Sequence, residues 1–251
     1  MILKSSTTIS TATTRPAIQA ILWDMDGTLL DTETLSDQSI FEALAIPQSK
    51  REELDYKLPW DIKEPTLGKR GDEWVPMVID YAVQNEWGVS NPPPHWKDLW
   101  ERQEGILNSY CSQVEECKGA GTLVHQFASL HIPQCIATSS RMVSVNKKRT
   151  HHEDSIFQHM KLIVTGEEVQ HPKPAPDIYL EAASRMNIPI QNCMVFEDSI
   201  AGCQSARTAG CGAVIAVPDP RGDPSKFDGI ANAVLKDLTE FDPKQWGMLP
   251  N

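Results

Sequence analysis

Two aspartates one residue apart, Asp24 and Asp26, follow directly on the apolar run Ile21-Leu22-Trp23 and lead into Gly27-Thr28. Aspartate is depleted inside strands, so the pair fits the carboxyl end of one, where open α/β sheets place their ligands. Carboxylates this close repel each other, and a divalent cation that prefers hard oxygen donors compensates them. A turn closed by an Asx cap would explain the same residues. Three later segments repeat the theme. Ile136-Ala137-Thr138-Ser139-Ser140 sets hydroxyls where a strand gives way to a helix, a position suited to an anion and equally to an ordinary N-cap. In His171-Pro172-Lys173-Pro174, prolines fix the backbone on both sides of a lysine, which aims a charge that is usually solvated. Val195-Phe196-Glu197-Asp198-Ser199 brings a second acidic pair off a strand end, again suited to Mg²⁺.

The elements that must position these groups are legible as an alternation. Short apolar runs rich in β-branched residues stand at Ile18 to Trp23, Ile132 to Ala137, Leu162 to Val164, Met194 to Phe196 and Ala213 to Val217. Helical patterns lie between them. Pro174 to Asn187 spaces Ile178, Ala182 and Met186 along one face, and Ser199 to Ala209 starts on a capping serine and stops at Gly210. Buried strands alternating with helices predict an α/β fold, a Rossmann-like parallel sheet covered on both faces. The interval 35–117 breaks the pattern. It carries Trp60, Trp74, Trp87, Trp96 and Trp100, and its stretches Leu35 to Ala45, Asp72 to Trp87 and His95 to Tyr110 read as helices separated by prolines. This is an inserted helical domain, with 18–34 and 118–251 forming the core. Residues 1–17, acid-free and dense in Ser and Thr, read as a disordered tail or a short targeting segment.

Composition narrows the function classes. Lys and Arg number 23 against 34 Asp and Glu, a formal charge of −11, which removes the basic footprint of a nucleic-acid partner. No apolar run approaches the roughly 20 residues of a bilayer-spanning helix, so no membrane partner is expected, and the predicted location is cytoplasmic unless the N-terminal segment targets an organelle. The six cysteines form no close CxxC pair, and Cys135 and Cys193 lie in predicted strands, where a thiol is a small hydrophobe.

With its Asp-x-Asp-Gly-Thr run, a threonine after an apolar strand, a lysine and an acidic pair, the chain resembles the haloacid dehalogenase-like phosphohydrolase superfamily. The resemblance runs from Ala20 to the end. Ala137-Thr138-Ser139-Ser140, Pro176-Asp177-Ile178-Tyr179 and Val195-Phe196-Glu197-Asp198 look most like its pseudouridine-5′-phosphatase and glycerol-3-phosphatase branch. Pro172 stands where that branch commonly has glycine. The resemblance implies Asp24 as the nucleophile that forms an aspartyl-phosphate and Asp26 as general acid and base. It implies that Thr138, with Gly27 and Ser139, binds the phosphoryl group, that Lys173 offsets its charge, and that Asp24, Asp26, Glu197 and Asp198 surround Mg²⁺. The helical insertion looks like the superfamily's α-helical cap.

The expected partner is a small phosphorylated metabolite and the expected state a monomer. Substrate choice must come from the cap, where Gly68-Lys69-Arg70-Gly71 reads as a loop entering the site through Lys69 and Arg70, or as a solvated turn. The run Lys147 to His152 reads as a charged, solvated helix face, and Trp96 and Trp100 as core of the insertion. Two other functions remain open: a β-phosphoglucomutase-like sugar phosphomutase, and a phosphorylatable or binding module without catalysis.

Overall fold

The computed structural model describes residues 17–67 and 71–248. The expected N-terminal tail or targeting segment, all but Ala17, lies outside them, as do Lys69 and Arg70.

Six parallel strands form one sheet: β1 (Ala20–Trp23), β2 (Gln134–Thr138), β3 (Met160–Thr165), β4 (Cys193–Glu197), β5 (Ala213–Ala216) and β6 (Ala233–Val234), in the order β3-β2-β1-β4-β5-β6. The chain builds outward from β1 to β3, then crosses to β4 on the other side of β1. Strand order therefore reverses beside β1, and that switch point is where α/β sheets open a crevice. Leu22 of β1 registers with Cys135 of β2 and Val195 of β4, so the strand ends that carry the acidic pairs lie side by side. Strands β1, β2, β4 and β5 are buried along their whole length, the reason their sequences read as continuous apolar runs rather than alternating ones.

Helices α6 (Ala120–Ser129), α7 (Met142–His152), α8 (Asp177–Met186) and α9 (Ile200–Ala209) flank the sheet. One face packs Ile21, Trp23, Ile136 and Phe196 against Leu123, Val124 and Phe127 of α6. The other packs Leu22, Val195 and Val214 against Ile178, Ala182 and Met186 of α8 and Cys203 and Ala206 of α9. Each such side chain contributes about 1.5–3 kcal/mol by leaving water. The described cysteines are all free.

Between β1 and α6 the chain forms α1 (Thr32–Ala43), α2 (Gln48–Glu53), α3 (Trp60–Thr66), α4 (Gly71–Gln84) and α5 (Trp96–Ser109). Ile40, Phe41, Val75, Val78, Ala82 and Leu99 give these helices an apolar cluster of their own. Helices α2 and α3 were not expected, because α2 buries no residue and α3 is only seven residues long. Pro47 and Pro59, read as separators, sit just before the two helices at their N-caps, and Pro65 lies within α3. Strand β6 also escaped the sequence reading, since two residues leave no periodic signal. No helix among the described residues is long and apolar enough to cross a membrane.

The helical unit is tied to the sheet by charge. Asp37 of α1, 1% exposed, accepts from Lys63 Nζ at 2.6 Å and from Leu58 N at 3.1 Å, while Lys63 also meets Glu33 at 2.5 Å. From the loop after β5, Arg221 lies over the Trp60 ring and donates to Leu58 O at 3.1 Å, and Lys226 reaches Glu64 at 2.7 Å. Breaking a buried pair by removing one partner costs about 3–5 kcal/mol. Asp37→Ala is expected at the lower end, about 3 kcal/mol, because Lys63 keeps Glu33. Denaturant unfolding measures it, and a loss below about 1 kcal/mol would show the pair to be incidental.

Candidate active site

Asp24 extends β1 by one backbone bond, its N–H donating to Phe196 O at 2.9 Å, and then the chain turns sharply. Gly27 makes the turn at φ +85°, and a Cβ there would stand 2.4 Å from Asp198 Oδ2. Glycine is thus required both for the backbone angle and for the approach of the two acidic segments. The next strand end is equally tight. A Cβ on Gly202, in the first turn of α9, would fall 1.6 Å from Glu197 Oε1.

Lys173 is the hub of the charged groups. Its Nζ donates to Asp24 Oδ1 at 2.6 Å, to Glu197 Oε1 at 2.7 Å and to Ala137 O at 3.2 Å. Its side chain is 7% exposed, and the ammonium lies over the Tyr179 ring. Glu197 is saturated by neighbours. Oε1 also accepts from Tyr179 Oη at 3.1 Å, and Oε2 accepts from Ser199 N and Oγ, both at 2.9 Å. Against its burial, Lys173 and Ser199 hold this carboxyl below the usual range. Glu197, expected to face a metal, has its oxygens bonded to Lys173, Tyr179 and Ser199.

Asp26 is also occupied. Ser140 Oγ donates to its Oδ2 at 2.6 Å, and the ammonium of Lys148 meets its Oδ1. Against burial, Lys148, Ser140 and Thr32 keep Asp26 below the ordinary carboxylate range. Of the run Lys147 to His152, expected to be a solvated face, Lys147, Arg149, Thr150 and His151 are exposed, and the expectation is corrected only for Lys148 and His152. Val145, Lys148 and His152 form the buried face of α7, and His152 bonds Val114 O at 2.7 Å. The signal was present: a valine with a lysine three and a histidine seven residues on shares one helical face.

Two carboxylates are incompletely compensated, since Asp24 shares Lys173 with Glu197 and Asp198 has no ion pair among the described residues. Asp24 Oδ2 has no hydrogen-bond donor among the described residues, and neither has the carboxylate of Asp198. Burial pushes Asp24 up to about 8, opposed by Lys173 and reinforced by Glu197 and Asp26. Burial, then Glu197, Asp24 and Glu33, push Asp198 well above the usual range. An excess of buried negative charge of this kind is relieved by a bound cation.

Thr138, 1% exposed, ends β2, and its Oγ1 accepts from Ser140 N at 3.0 Å. Thr138, exposed Ser139 and Lys173 border, with Asp24 and Asp26, a cavity of about 480 Å³ closed on its far side by the helical unit. Gly27 is not among the residues bordering it; it lines the neighbouring cavity on the other side of Asp198. Trp100, expected only as core, packs against the helical cluster and also forms part of the cavity wall, together with Trp74. The structure therefore brings Asp24, Asp26, Thr138, Ser139, Lys173, Glu197 and Asp198 to one place. Lys148, Ser140 and Tyr179 join them, unanticipated as site residues.

Comparison with known proteins shows the family. A model of the haloacid dehalogenase-like hydrolase family matches residues 18–210. The chain is 32% identical over 241 residues to (DL)-glycerol-3-phosphatase 2 of Arabidopsis thaliana, covering 94% of each. It is likewise 32% identical over 231 residues to a probable pseudouridine-5′-phosphatase of Drosophila melanogaster, covering 90% of this chain and 93% of that one. A solved haloacid dehalogenase family hydrolase from Deinococcus radiodurans shares the fold, with a TM-score of 0.72 at 23% identity over 94% of this chain and 99% of that one. On its motifs, its strand order and these relatives, the chain belongs to the haloacid dehalogenase-like hydrolases.

Proposed function

We propose that the chain is a Mg²⁺-dependent phosphatase of small phosphate monoesters that works through an aspartyl-phosphate on Asp24. The observation that carries this reading is Asp24 itself. One of its oxygens is held by Lys173 at 2.6 Å, the other has no donor among the described residues, and Asp24 lines a cavity also bordered by Thr138.

A phosphate monoester dianion repels an attacking carboxylate, so hydrolysis needs cationic compensation and in-line placement. Asp24 Oδ2 attacks phosphorus, forming an O–P bond as the ester O–P bond breaks. Lys173 and the Thr138 hydroxyl offset charge on the non-bridging oxygens. Asp26, held ionised by Lys148 and Ser140 in the substrate-free site, takes up a proton as the phosphate dianion binds and gives that proton to the departing alkoxide. It then takes a proton from water, which attacks the phosphorus and returns Asp24 with release of inorganic phosphate. Ser140 and Lys148 hold Asp26 between these steps. The helical unit acts as the cap that excludes bulk water.

The donor set fits Mg²⁺. Among the described residues no three acidic, His or Cys side chains already converge as a cage, and Mg²⁺ characteristically takes one or two carboxylates, keeping waters and substrate oxygens for the rest. Asp24 and Asp198 would hold it. The side chains of Asp26 and Glu197, expected in the same set, are engaged by Lys148 and Ser140 and by Lys173, Tyr179 and Ser199. Bound there, the ion would neutralise phosphate charge and keep Asp24 ionised at neutral pH.

Chelation is therefore expected to abolish turnover, with Mg²⁺ restoring it better than Ca²⁺, which accepts looser geometry. A residue that only orients a ligand typically changes metal affinity about 10–100-fold. Asp198→Asn should raise the Mg²⁺ half-saturation beyond that range and Glu197→Gln should stay within it; equal titrations would overturn the ligand assignment.

The function is tested with pseudouridine 5′-phosphate, glycerol 3-phosphate, sugar phosphates and flavin mononucleotide, assayed for free phosphate with Mg²⁺. Release without added bisphosphate supports a phosphatase. Turnover that requires a bisphosphate would make it a mutase, and none at all a non-catalytic module.

A further inference from the structure

On the proposed mechanism the core motifs serve the phosphoryl group, so the wall facing them would decide what the phosphate is attached to. That wall is aromatic. Trp74 of α4 and Trp100 of α5 are both partly exposed where they line the cavity, and neither indole N–H has an acceptor among the described residues. Large rings left partly open to a cavity that also holds carboxylates and hydroxyls, with unused donors among the described residues, are surfaces for a ligand rather than completed core.

Trp100 is braced for this. A Cβ on Gly71 would lie 2.7 Å from its Cε2 and 2.8 Å from its Cδ2, so the start of α4 abuts the ring where another residue would displace it. Trp96 stacks on it from the same helix, with centroids 6.4 Å apart and planes 28° from parallel. An indole fixed in this way loses little freedom when a second ring stacks on it. One turn further along α5, on the same face, Glu104 also lines the cavity and meets Arg141 of the sheet unit at 3.6 Å. This pair places an acceptor and a donor together near the shelf. At about 480 Å³ the cavity lies within the range of sites for drug-sized ligands.

We propose that Trp74 and Trp100 form a stacking subsite that selects phosphate monoesters bearing a planar heteroaromatic ring, with Glu104 and Arg141 meeting the ring's polar edge. The proposal rests on the phosphatase reading and adds to it the class of alcohol and the residues that recognise it. A three-carbon polyol phosphate has no face for the indoles to cover.

The test compares kcat/KM for pseudouridine 5′-phosphate and for flavin mononucleotide with that for ribose 5-phosphate, which keeps a sugar phosphate and lacks the ring. Wild type should prefer at least one ring-bearing ester by more than about 10-fold. Base–aromatic stacking is typically worth about 5- to 150-fold on alanine substitution, so Trp100→Ala should lower the preference by a factor in that range. Trp100→Phe should restore it to within about 3-fold. Trp74→Ala gives an independent reading if Trp100→Ala does not fold. A wild-type ratio near one, with ribose 5-phosphate hydrolysed, overturns the subsite and leaves the phosphatase standing. A ratio unchanged in both tryptophan variants also overturns the subsite. Phosphate release from glycerol 3-phosphate but from none of the three overturns the subsite alone, and release from none of the four overturns both.

Discussion

Asp24→Asn is expected to abolish phosphate release, by more than about 10⁴-fold, the scale on which removing a covalent nucleophile acts in hydrolases that use one. An amide of the same shape keeps the side chain in place but cannot attack phosphorus, and it takes one negative charge from the Mg²⁺ site. Lys173 retains Glu197 at 2.7 Å, so the hub of the site survives. Stability should move the other way. Metal-free, the Asp24 carboxyl binds its proton in the folded chain up to about pH 8, against an ordinary value of 3.8. Between those values the folded state holds more protons than the unfolded one, so this group's contribution to stability falls as pH rises from about 4 to 8. The neutral amide removes that penalty. Metal-free Asp24→Asn should therefore unfold no earlier than wild type at pH 7, measured by thermal melts with chelator. Activity near wild type would end the covalent mechanism.

The second large effect belongs to Asp26→Asn, and it should depend on the leaving group. General acid–base catalysis typically contributes about 10² to 10⁴ in rate, so hydrolysis of alkyl esters should fall by that factor. The deficit in kcat/KM, which reads phosphoryl transfer and not the later attack by water, should shrink for an aryl ester such as p-nitrophenyl phosphate, whose phenolate leaves without a proton. Lys148, whose side chain is only 6% exposed, loses its charged partner in this variant, so thermal melts must show a folded chain before rates are compared. A kcat/KM lowered by one common factor for alkyl and aryl esters would remove Asp26 from the role of general acid.

Much of this arrangement was legible in the sequence because parallel strands buried on both faces leave unmistakable apolar runs. Val195 and Phe196 are wholly buried, so the acids that end their strand stood out against them. Glu197 could not be placed by type alone. Spacing brought it to the site, but only the packing shows its oxygens bonded to Lys173, Tyr179 and Ser199. Lys148 was misread because a run of six basic and polar residues suggests solvent, whereas the face shared with Val145 and His152 turns it inward. The links between the helical unit and the sheet were invisible for a different reason. Arg221 lies 163 residues from the Leu58 carbonyl it reaches, and no local pattern encodes such a pairing. Trp100 belongs to two surfaces at once, the helical cluster and the cavity, and periodicity reports only the first.

The covalent role of Asp24 is most directly tested by trapping the intermediate. Asp26→Asn with p-nitrophenyl phosphate suits this, since phosphoryl transfer to Asp24 needs no acid there while attack by water still lacks its base. Acid-quenched intact-mass measurement should show the chain carrying one phosphoryl group, labile to hydroxylamine and mapped by peptide sequencing to Asp24. An unmodified chain throughout a burst of p-nitrophenol, or a phosphoryl group on any other side chain, would contradict it.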